Sequence, residues 1–522
     1  MSRTWLAVGI TAALWAVFAG ALLLPGDLAV TKHTGDAIHM VAIVERMAQG
    51  QLPHLDFMTP IGILAFWPIA VLVRLGLSVG AAFMAAQVIL GALFSGVALA
   101  VALRRVEWMF ALAFAVLVLV MTMALVHGEA EIAVSVSMHY NRWAWALGFI
   151  AVFMALLPAH GGAFWEGPIL GTTMAALLLI KVTYFAAFAP IVIIGLLATR
   201  QYMHLAIALA TGALIAVVLT AFWGLPYWMA YLGDLLSVAG SEVRAQPGLD
   251  FTQVLSAPGY LAATAILLVL VVILRRGGFE DEGLAVLLLL GAGAYITYQN
   301  FGNDPQHLAL LALLMAIWAY EAPVTGPRLS LTVGAVALGA LISSSLINLA
   351  VSPFRHVAID RADYIPALVE VDHHQDLLVS RIKANRLRSD EPMTVGYLQF
   401  DADPPDPPAS FQGEELPDCR GVPAPAFFAS IAQDLATRGL AQGGSLFVMD
   451  ILNPYWLYGD HLPLAGGTPW HYEGLPGFEA ADYVLLPSCP INPQSRDIIA
   501  TALADVTLTE VVRTPVYTLY AR

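Results

Sequence analysis

The sequence predicts a polytopic α-helical membrane protein carrying a C-terminal α/β domain outside the membrane, and three observations predict it. Hydrophobic residues are 59% and charged residues 12% of the 522, whereas a soluble globular domain carries about 25% charged residues. The apolar residues gather in long unbroken runs instead of alternating as the strands of a barrel do. From about Ser352 the character reverses, with charges, prolines and turn pairs such as Gly443-Gly444 and Gly466-Gly467.

Eleven apolar segments read as spans. They are Trp5–Leu24, Ala81–Leu103, Trp108–Val126, Trp143–Leu157, Gly167–Ile180, Tyr184–Ala198, Leu205–Trp223, Tyr260–Leu274, Leu284–Tyr298, His307–Tyr320 and Leu329–Leu349. Several are shorter than the roughly 20 residues that an upright helix needs, so their boundaries are open to a shift of a few residues. The first follows Arg3 like a signal peptide but shows no small-residue cleavage site, so it reads as an uncleaved span. Ile61–Leu77 contains Pro68 and Arg74 and reads as an interfacial or re-entrant helix, with an ordinary span as the alternative.

With that count Arg3, Arg104-Arg105, Arg200, Arg275-Arg276 and Arg328 fall on one side, which the positive-inside rule makes the cytoplasm. The expectation is a cytoplasmic (inner) membrane protein with its N-terminus inside and its C-terminal domain periplasmic. The expected division is a membrane region over 1–350, whose outer loop is 25–60, and a soluble domain over 351–522.

In the C-terminal part, short β-like runs (Met393–Leu398, Ser445–Met449, Tyr483–Leu486, Val516–Tyr520) alternate with helical ones (Pro366–Asn385, Pro425–Arg438, Ser495–Ala504), the pattern of a small α/β domain. Cys419 and Cys489 both lie there. They suit either a disulfide in an oxidising compartment or two buried free thiols.

A formal charge of −14 and a pI near 5.3 argue against nucleic acid as a partner, because phosphate backbones need concentrated Lys and Arg. No P-loop, no Gly-x-Gly-x-x-Gly and no His-Glu-x-x-His occurs. Nucleotide-powered pumping and nucleotide-sugar chemistry therefore lack their usual motifs.

The outer loop holds the chemistry. Gly35-Asp36 precedes Ala37–Gln49, then come Gly50, Pro53-His54-Leu55-Asp56-Phe57 and Pro60-Ile61-Gly62. Met40, Val41, Val44, Met47 and Ala48 form one helical stripe, with His39, Glu45, Arg46 and Gln49 off it. The pattern predicts a helix lying flat on the membrane, with Asp36 as its N-cap and Gly50 at its end. An acid held beside lipid is by default a functional-site hypothesis; the plainer reading of Asp36 is an exposed helix cap.

This loop resembles that of the GT-C superfamily of integral-membrane glycosyltransferases, which use polyprenyl-phosphate-linked sugars. In that superfamily an acid follows the first span, then come a juxtamembrane helix, a Gly-x-x-Pro-x-x-Asp-like turn and a Pro-Leu/Ile-Gly segment. Gly50-Gln51-Leu52-Pro53-His54-Leu55-Asp56 and Pro60-Ile61-Gly62 look like those elements. Ala37 departs from it, because many relatives carry a second acid there. The resemblance implies a GT-C-like fold and inverting sugar transfer to an extracytoplasmic glycan, lipid or protein. It makes Asp36 the catalytic base and Asp56 an acid orienting the acceptor, and it leaves a divalent metal ion open.

A departing lipid phosphate needs cations or hydrogen-bond donors, and lysine is scarce: Lys32, Lys181 and Lys383 are all there are. Lys181, where the fifth span ends, is one candidate for the phosphate, and a snorkelling anchor is its plainer reading. Arg142, in His139-Tyr140-Asn141-Arg142-Trp143, is a second. His307, and Arg244 in the long outer loop Pro226–Pro258, follow. Asp304 and His307 have a spacing that suits a metal ion, with a capping acid and a core histidine as the plainer reading. The doublet His373-His374 with Asp372 and Asp376 reads as a solvated helix face. A transporter or flippase for a lipid-linked substrate, or a non-catalytic membrane scaffold, are the competing classes. A transporter calls for polar residues at mid-membrane and repeat symmetry, whereas here polar residues gather at the span ends.

Overall fold

The computed structural model describes residues 3–127, 131–158, 162–241, 243, 252, 258–299, 305–323, 327–368, 371–386, 393–395, 398–400 and 409–522. Each of the expected spans is a helix. They are α1 (Arg3–Leu23), then, after α2 (Thr34–Ala48) and α3 (Trp67–Arg74), α4 (Val79–Ala102), α5 (Trp108–Met123), α6 (His139–Leu156), α7 (Ala163–Ile180) and α8 (Val182–Ala198). There follow α9 (Tyr202–Ala239), α10 (Pro258–Arg276), α11 (Glu280–Gln299), α12 (His307–Glu321) and α13 (Arg328–Val357). Among the described residues six of these are long and apolar enough to cross a membrane by length and composition, and three shorter apolar helices accompany them. The chain is a multi-pass helical membrane protein.

Residues 61–77 contain a 3-10 turn at Ile63–Ala65 and the eight-residue α3, about 12 Å of helix, far short of a bilayer. Pro68 sits at the start of α3, where its missing N–H costs nothing. Gly62 carries this segment against α7: its N–H donates to the Ile180 carbonyl at 3.1 Å, and a Cβ there would stand 2.1 Å from the Leu179 carbonyl oxygen. Only glycine permits that approach.

Away from α2, the arginine pattern has a structural counterpart. Glu166 at the start of α7 is nearly buried and receives Arg105 in a two-pronged pair at 2.5 and 3.0 Å. Arg104 reaches it at 3.0 Å and His204 at 3.4 Å. A buried carboxylate needs such partners to remain charged.

The segment expected as the long outer loop from Pro226 is helical as far as Ala239. α9 bends at Gly224, whose φ of 77° with Pro226 two residues on interrupts the helix, and its second half packs beside residues 54–59.

α2 differs from its expectation too. It starts at Thr34 with left-handed His33 as N-cap, so Asp36 lies inside the first turn and caps nothing. It ends at Ala48 with Gly50 in the left-handed region, as the sequence implies. It does not lie on an open surface, because residues on both of its faces are buried. The residues off the apolar stripe meet the C-terminal part of the chain. His39 packs on Trp470 with ring centroids 5.3 Å apart, Glu45 stands 3.1 Å from His374, and Arg46 donates to the Leu464 carbonyl at 3.1 Å.

The chain beyond α13 builds two principal sheets. In the first, β1 (Leu28–Val30) pairs in parallel with β3 (Leu377–Ser380), and β2 (Tyr364–Pro366) pairs antiparallel with β3. The loop after the first span is therefore a strand of a sheet completed by residues past 360. The helix expected over Pro366–Asn385 gives way to pairing with β1, and among the described residues of that stretch a 3-10 turn at Asp372–His374 and the α-helical Arg381–Ala384 are what remain helical. His373-His374 and Asp376 are correspondingly not a solvated helix face. Asp376 accepts from Ser78 Oγ and from the N–H groups of Gly80 and Ala81, and His374 Nδ1 accepts from Val79 N–H, so together they cap α4 from far along the chain.

Two small hairpins follow (Met393–Val395 with Leu398–Phe400, and Ser410–Phe411 with Glu414–Glu415). The second sheet has Leu446–Val448 parallel to Tyr483–Pro487, then Tyr517–Ala521 and Thr509–Arg513 antiparallel. Helices Pro425–Thr437 and Pro493–Ala502 accompany it. This is the α/β architecture expected.

Cys419 and Cys489 form a disulfide, Cα–Cα 4.9 Å, closing a separation of 70 residues. Cross-linking a loop of that size restricts the unfolded chain by about 4 kcal/mol. Cys419→Ser/Cys489→Ser should lower the thermal midpoint of the C-terminal domain, read by near-ultraviolet circular dichroism, and wild type in reductant should behave alike.

Candidate active site

The loop 25–60 is held by bonds that its own sequence does not disclose. His33, at φ 61°, places its Nδ1 3.1 Å from Ser135 Oγ and packs against His127 with the rings tilted and their centroids 4.8 Å apart. Ser137 lies two residues further and donates its hydroxyl to Asp36 Oδ2. The segment between α5 and α6 thus supports the first turn of α2 directly under Asp36.

Asp36 opens onto a cavity of about 280 Å3. Its walls come from α2 (Asp36, His39), residues 60–61, Met138 and Tyr140, the break between α7 and α8 (Lys181), the ends of α9 and α11, and Trp470 and Tyr472 of the C-terminal domain. Lys181 is there because α7 stops at Ile180 and the chain runs extended for one residue before α8 begins. Its ammonium donates to Asn141 Oδ1 at 2.9 Å and lies 5.3 Å from the centroid of the Tyr140 ring. A carboxylate and an ammonium from separate parts of the membrane region therefore face one space roofed by aromatic rings.

Burial raises the pKa of Asp36, and the Ser137 hydroxyl, which stabilises the carboxylate, opposes that rise. His39 is driven the other way, to about 3, by burial. It is neutral at any working pH and adds no charge to the wall. Among the described residues no group of three or more His, Cys, Asp or Glu side chains is placed to hold a metal ion.

The remaining candidates part company here. Asp56 does not line the cavity. It is exposed, its Oδ2 accepts from Leu52 N–H at 2.6 Å, and its carbonyl accepts from Gly466 N–H at 2.8 Å, so it closes the Pro53–Phe57 turn. Arg142 is buried in α6 and donates to the carbonyls of Ala124 (2.8 Å) and Val126, satisfying the chain where α5 ends. A guanidinium spent on backbone carbonyls is not offered to a phosphate. His307 is buried between helices, 6.3 Å from the Trp145 ring and against Gly293, and does not line the cavity. Arg244 and Asp304 lie outside the described residues.

The structure adds a pair that sequence reading missed. His54 Nδ1 stands 2.8 Å from Asp234 Oδ2, and Asp234 also accepts from Thr59 N–H at 3.1 Å. Asp234 is on the second half of α9, one residue before the cavity wall at Leu235, while Thr59 precedes the wall at Pro60. The pair clamps two walls together. The nearest sequence signal is the His54-Leu55-Asp56 triplet, in which nothing points from His54 to Asp234, 180 residues on.

Removing the Ser137 hydroxyl tests the environment of Asp36. Ser137→Ala withdraws the one bond that favours the carboxylate, so the pKa rises further and the ascending limb of the pH–rate profile moves to higher pH. The alkaline plateau should stay near wild type. A carboxyl whose folded pKa is raised stabilises the fold fully below its unfolded pKa, and that contribution is lost as pH rises through the folded pKa. An unmoved limb would mean that another group sets the profile.

No family model matches the sequence, and no curated protein matches it. Solved structures do. ArnT from Cupriavidus metallidurans in the apo state is 13% identical, with a TM-score of 0.38 over 99% of this chain and 97% of that chain. ArnT from the same organism bound to undecaprenyl phosphate is 12% identical, with a TM-score of 0.36 over 100% and 98%. A likeness this distant carries no weight on activity, which is judged from the cavity itself.

Proposed function

We propose that the protein is an integral-membrane glycosyltransferase that moves a sugar from a polyprenyl-phosphate donor to an acceptor hydroxyl outside the cytoplasm. One observation carries the reading: Asp36 and Lys181 line the same cavity, at the level where membrane helices meet the C-terminal domain. The motif resemblance of the loop 35–62 agrees with it, although Ala37 leaves a single acid where many relatives have two.

The chemistry runs as a direct displacement. The acceptor oxygen attacks the anomeric carbon from the face opposite the phosphate, and its proton passes to the Asp36 carboxylate. The bond from the anomeric carbon to the phosphate oxygen breaks, and the polyprenyl phosphate leaves with that electron pair. The configuration inverts. Lys181 faces the negative charge gathering on the leaving phosphate, where a fixed cation in a low-dielectric site is worth far more than in water. The raised pKa of Asp36 suits a base, because its conjugate acid holds the proton better than an exposed carboxylic acid does. Trp470 and Tyr472 offer apolar ring surface to a sugar.

The orientation follows from the arginine ends: N-terminus and arginine clusters cytoplasmic, with α2, the cavity and the disulfide-bearing domain outside. The reading is tested with protein in liposomes, a polyprenyl-phosphate-linked sugar and a hydroxyl acceptor, by following release of polyprenyl phosphate. Release by wild type and its loss on Asp36→Asn supports the reading. Equal release by both removes it.

A further inference from the structure

Lys181 reaches the Asp36 cavity from a break between two membrane helices that the local sequence does not explain. From Thr172 to Ala189 the chain contains neither proline nor glycine, the residues behind most sharp helix breaks. The β-branched Ile180, Val182 and Thr183 disfavour a helix only slightly. Even so α7 stops at Ile180, Lys181 is extended at φ −157° and ψ 110°, and α8 starts at Val182. The cause lies elsewhere in the fold.

Two donors from other segments meet the end of α7. Tyr231, on the second half of α9, donates its hydroxyl to the Leu178 carbonyl at 2.8 Å, and Gly62 N–H donates to the Ile180 carbonyl at 3.1 Å. In an unbroken helix these two carbonyls would accept from the N–H groups of Val182 and Tyr184. Tyr184 N–H instead donates to the Lys181 carbonyl at 3.1 Å and opens a new ladder. The two donors act at one place, because a Cβ on Gly62 would lie 3.1 Å from the Tyr231 hydroxyl oxygen. Tyr231 is itself held. It is 3% exposed, its ring packs on His54 with centroids 4.4 Å apart, and Asp234, three residues on, binds His54 and Thr59.

The consequence falls on Lys181. Residues 181–183 all line the Asp36 cavity, so the ammonium leaves the chain at the break and reaches Asn141 from there. A long side chain meets a phosphate well only when its support is fixed to within about 0.5 Å. We propose that Tyr231 is a positioning residue: its hydroxyl, beside the Gly62 N–H, holds the end of α7 open and so aims Lys181 into the cavity. Tyr231 does not line that cavity and acts through Lys181 alone. The proposal rests on the reading that Lys181 faces the leaving phosphate. Tyr227 supplies the control. It is equally buried, its ring lies 6.4 Å from that of Tyr231, and its hydroxyl has no hydrogen-bond partner among the described residues.

Equilibrium binding of a polyprenyl monophosphate to the full-length protein in detergent tests it, with polyprenol, the same chain without phosphate, as the counterpart. Tyr231→Phe removes the hydroxyl alone and should weaken the phosphate lipid about fivefold, the contribution of one neutral hydrogen bond. Polyprenol binding should stay within about twofold, as for a group that makes no contact with the tail. On a Lys181→Met background Tyr231→Phe should add nothing, because the group that it positions is already gone. Tyr227→Phe should leave both lipids at wild-type affinity. The proposal is overturned if Tyr231→Phe binds the phosphate lipid like wild type, weakens both lipids alike, or costs as much with Lys181→Met as without it. An equal loss in Tyr227→Phe overturns it too. The two backgrounds decide even where Tyr231→Phe lowers the thermal midpoint, since a loosened fold weakens binding in both. Wild-type affinity in Lys181→Met is a separate failure: it takes Lys181 out of the phosphate site, and this proposal with it.

Discussion

Asp36→Asn is expected to slow sugar transfer by about 10²–10⁴-fold, the range that general-base catalysis supplies, in a protein that still folds and binds donor. An asparagine keeps the shape and can still accept the Ser137 hydroxyl bond, but its amide cannot take the acceptor's proton. The thermal midpoint should be equal to wild type or slightly higher. Burial already opposes the charge on Asp36, so a neutral isostere removes a cost and leaves no partner cation unpaired. The measurement is single-turnover release of polyprenyl phosphate, with the thermal midpoint as control. Asp56→Asn is the matched comparison. Its oxygen accepts from Leu52 N–H on an exposed turn, a bond that an amide oxygen retains, so its turnover should stay near wild type. Equal losses at the two positions would return Asp56 to the chemistry. Near-normal turnover in Asp36→Asn would remove the base altogether.

Lys181→Met should weaken donor binding roughly 10–100-fold, because a hydrogen bond to a charged group contributes about 1.5–3 kcal/mol. Methionine keeps the apolar stem of lysine, while the charge goes together with the bond to Asn141 and the ammonium's place over the Tyr140 ring. Lys181→Arg keeps a cation at the same break between α7 and α8 and should recover much of the affinity. The readout is equilibrium binding of a polyprenyl phosphate without sugar, which isolates the phosphate contact from catalysis. Unchanged affinity in Lys181→Met would send the phosphate site elsewhere. Arg142 would not be next in line, since the Ala124 and Val126 carbonyls already occupy it.

The sequence by itself determined the class and the order of elements. Apolar runs of the right length have no stable alternative to helices in lipid, so every segment from Trp5–Leu24 to Leu329–Leu349 became one. Gly50 ended α2 because only glycine takes that backbone cheaply, and Pro68 marked the start of a short helix. Asp36 and Lys181 were visible for a related reason. Charges are so few near lipid that each one present stands out.

What local pattern could not decide was everything set by a second surface. α2 reads as a helix with one wet face because hydrophobic periodicity reports polarity and not what covers it. Trp470, His374 and Leu464 cover that face, from more than 300 residues away in the chain. Leu377–Ser380 reads as helix until β1 supplies a partner strand. Asp56, Asp234 and Arg142 show the same limit at the level of single charges. A carboxylate that caps a turn, one that clamps His54 and a guanidinium that serves a helix end look alike in sequence. Their roles follow from which backbone groups the fold leaves unpaired beside them.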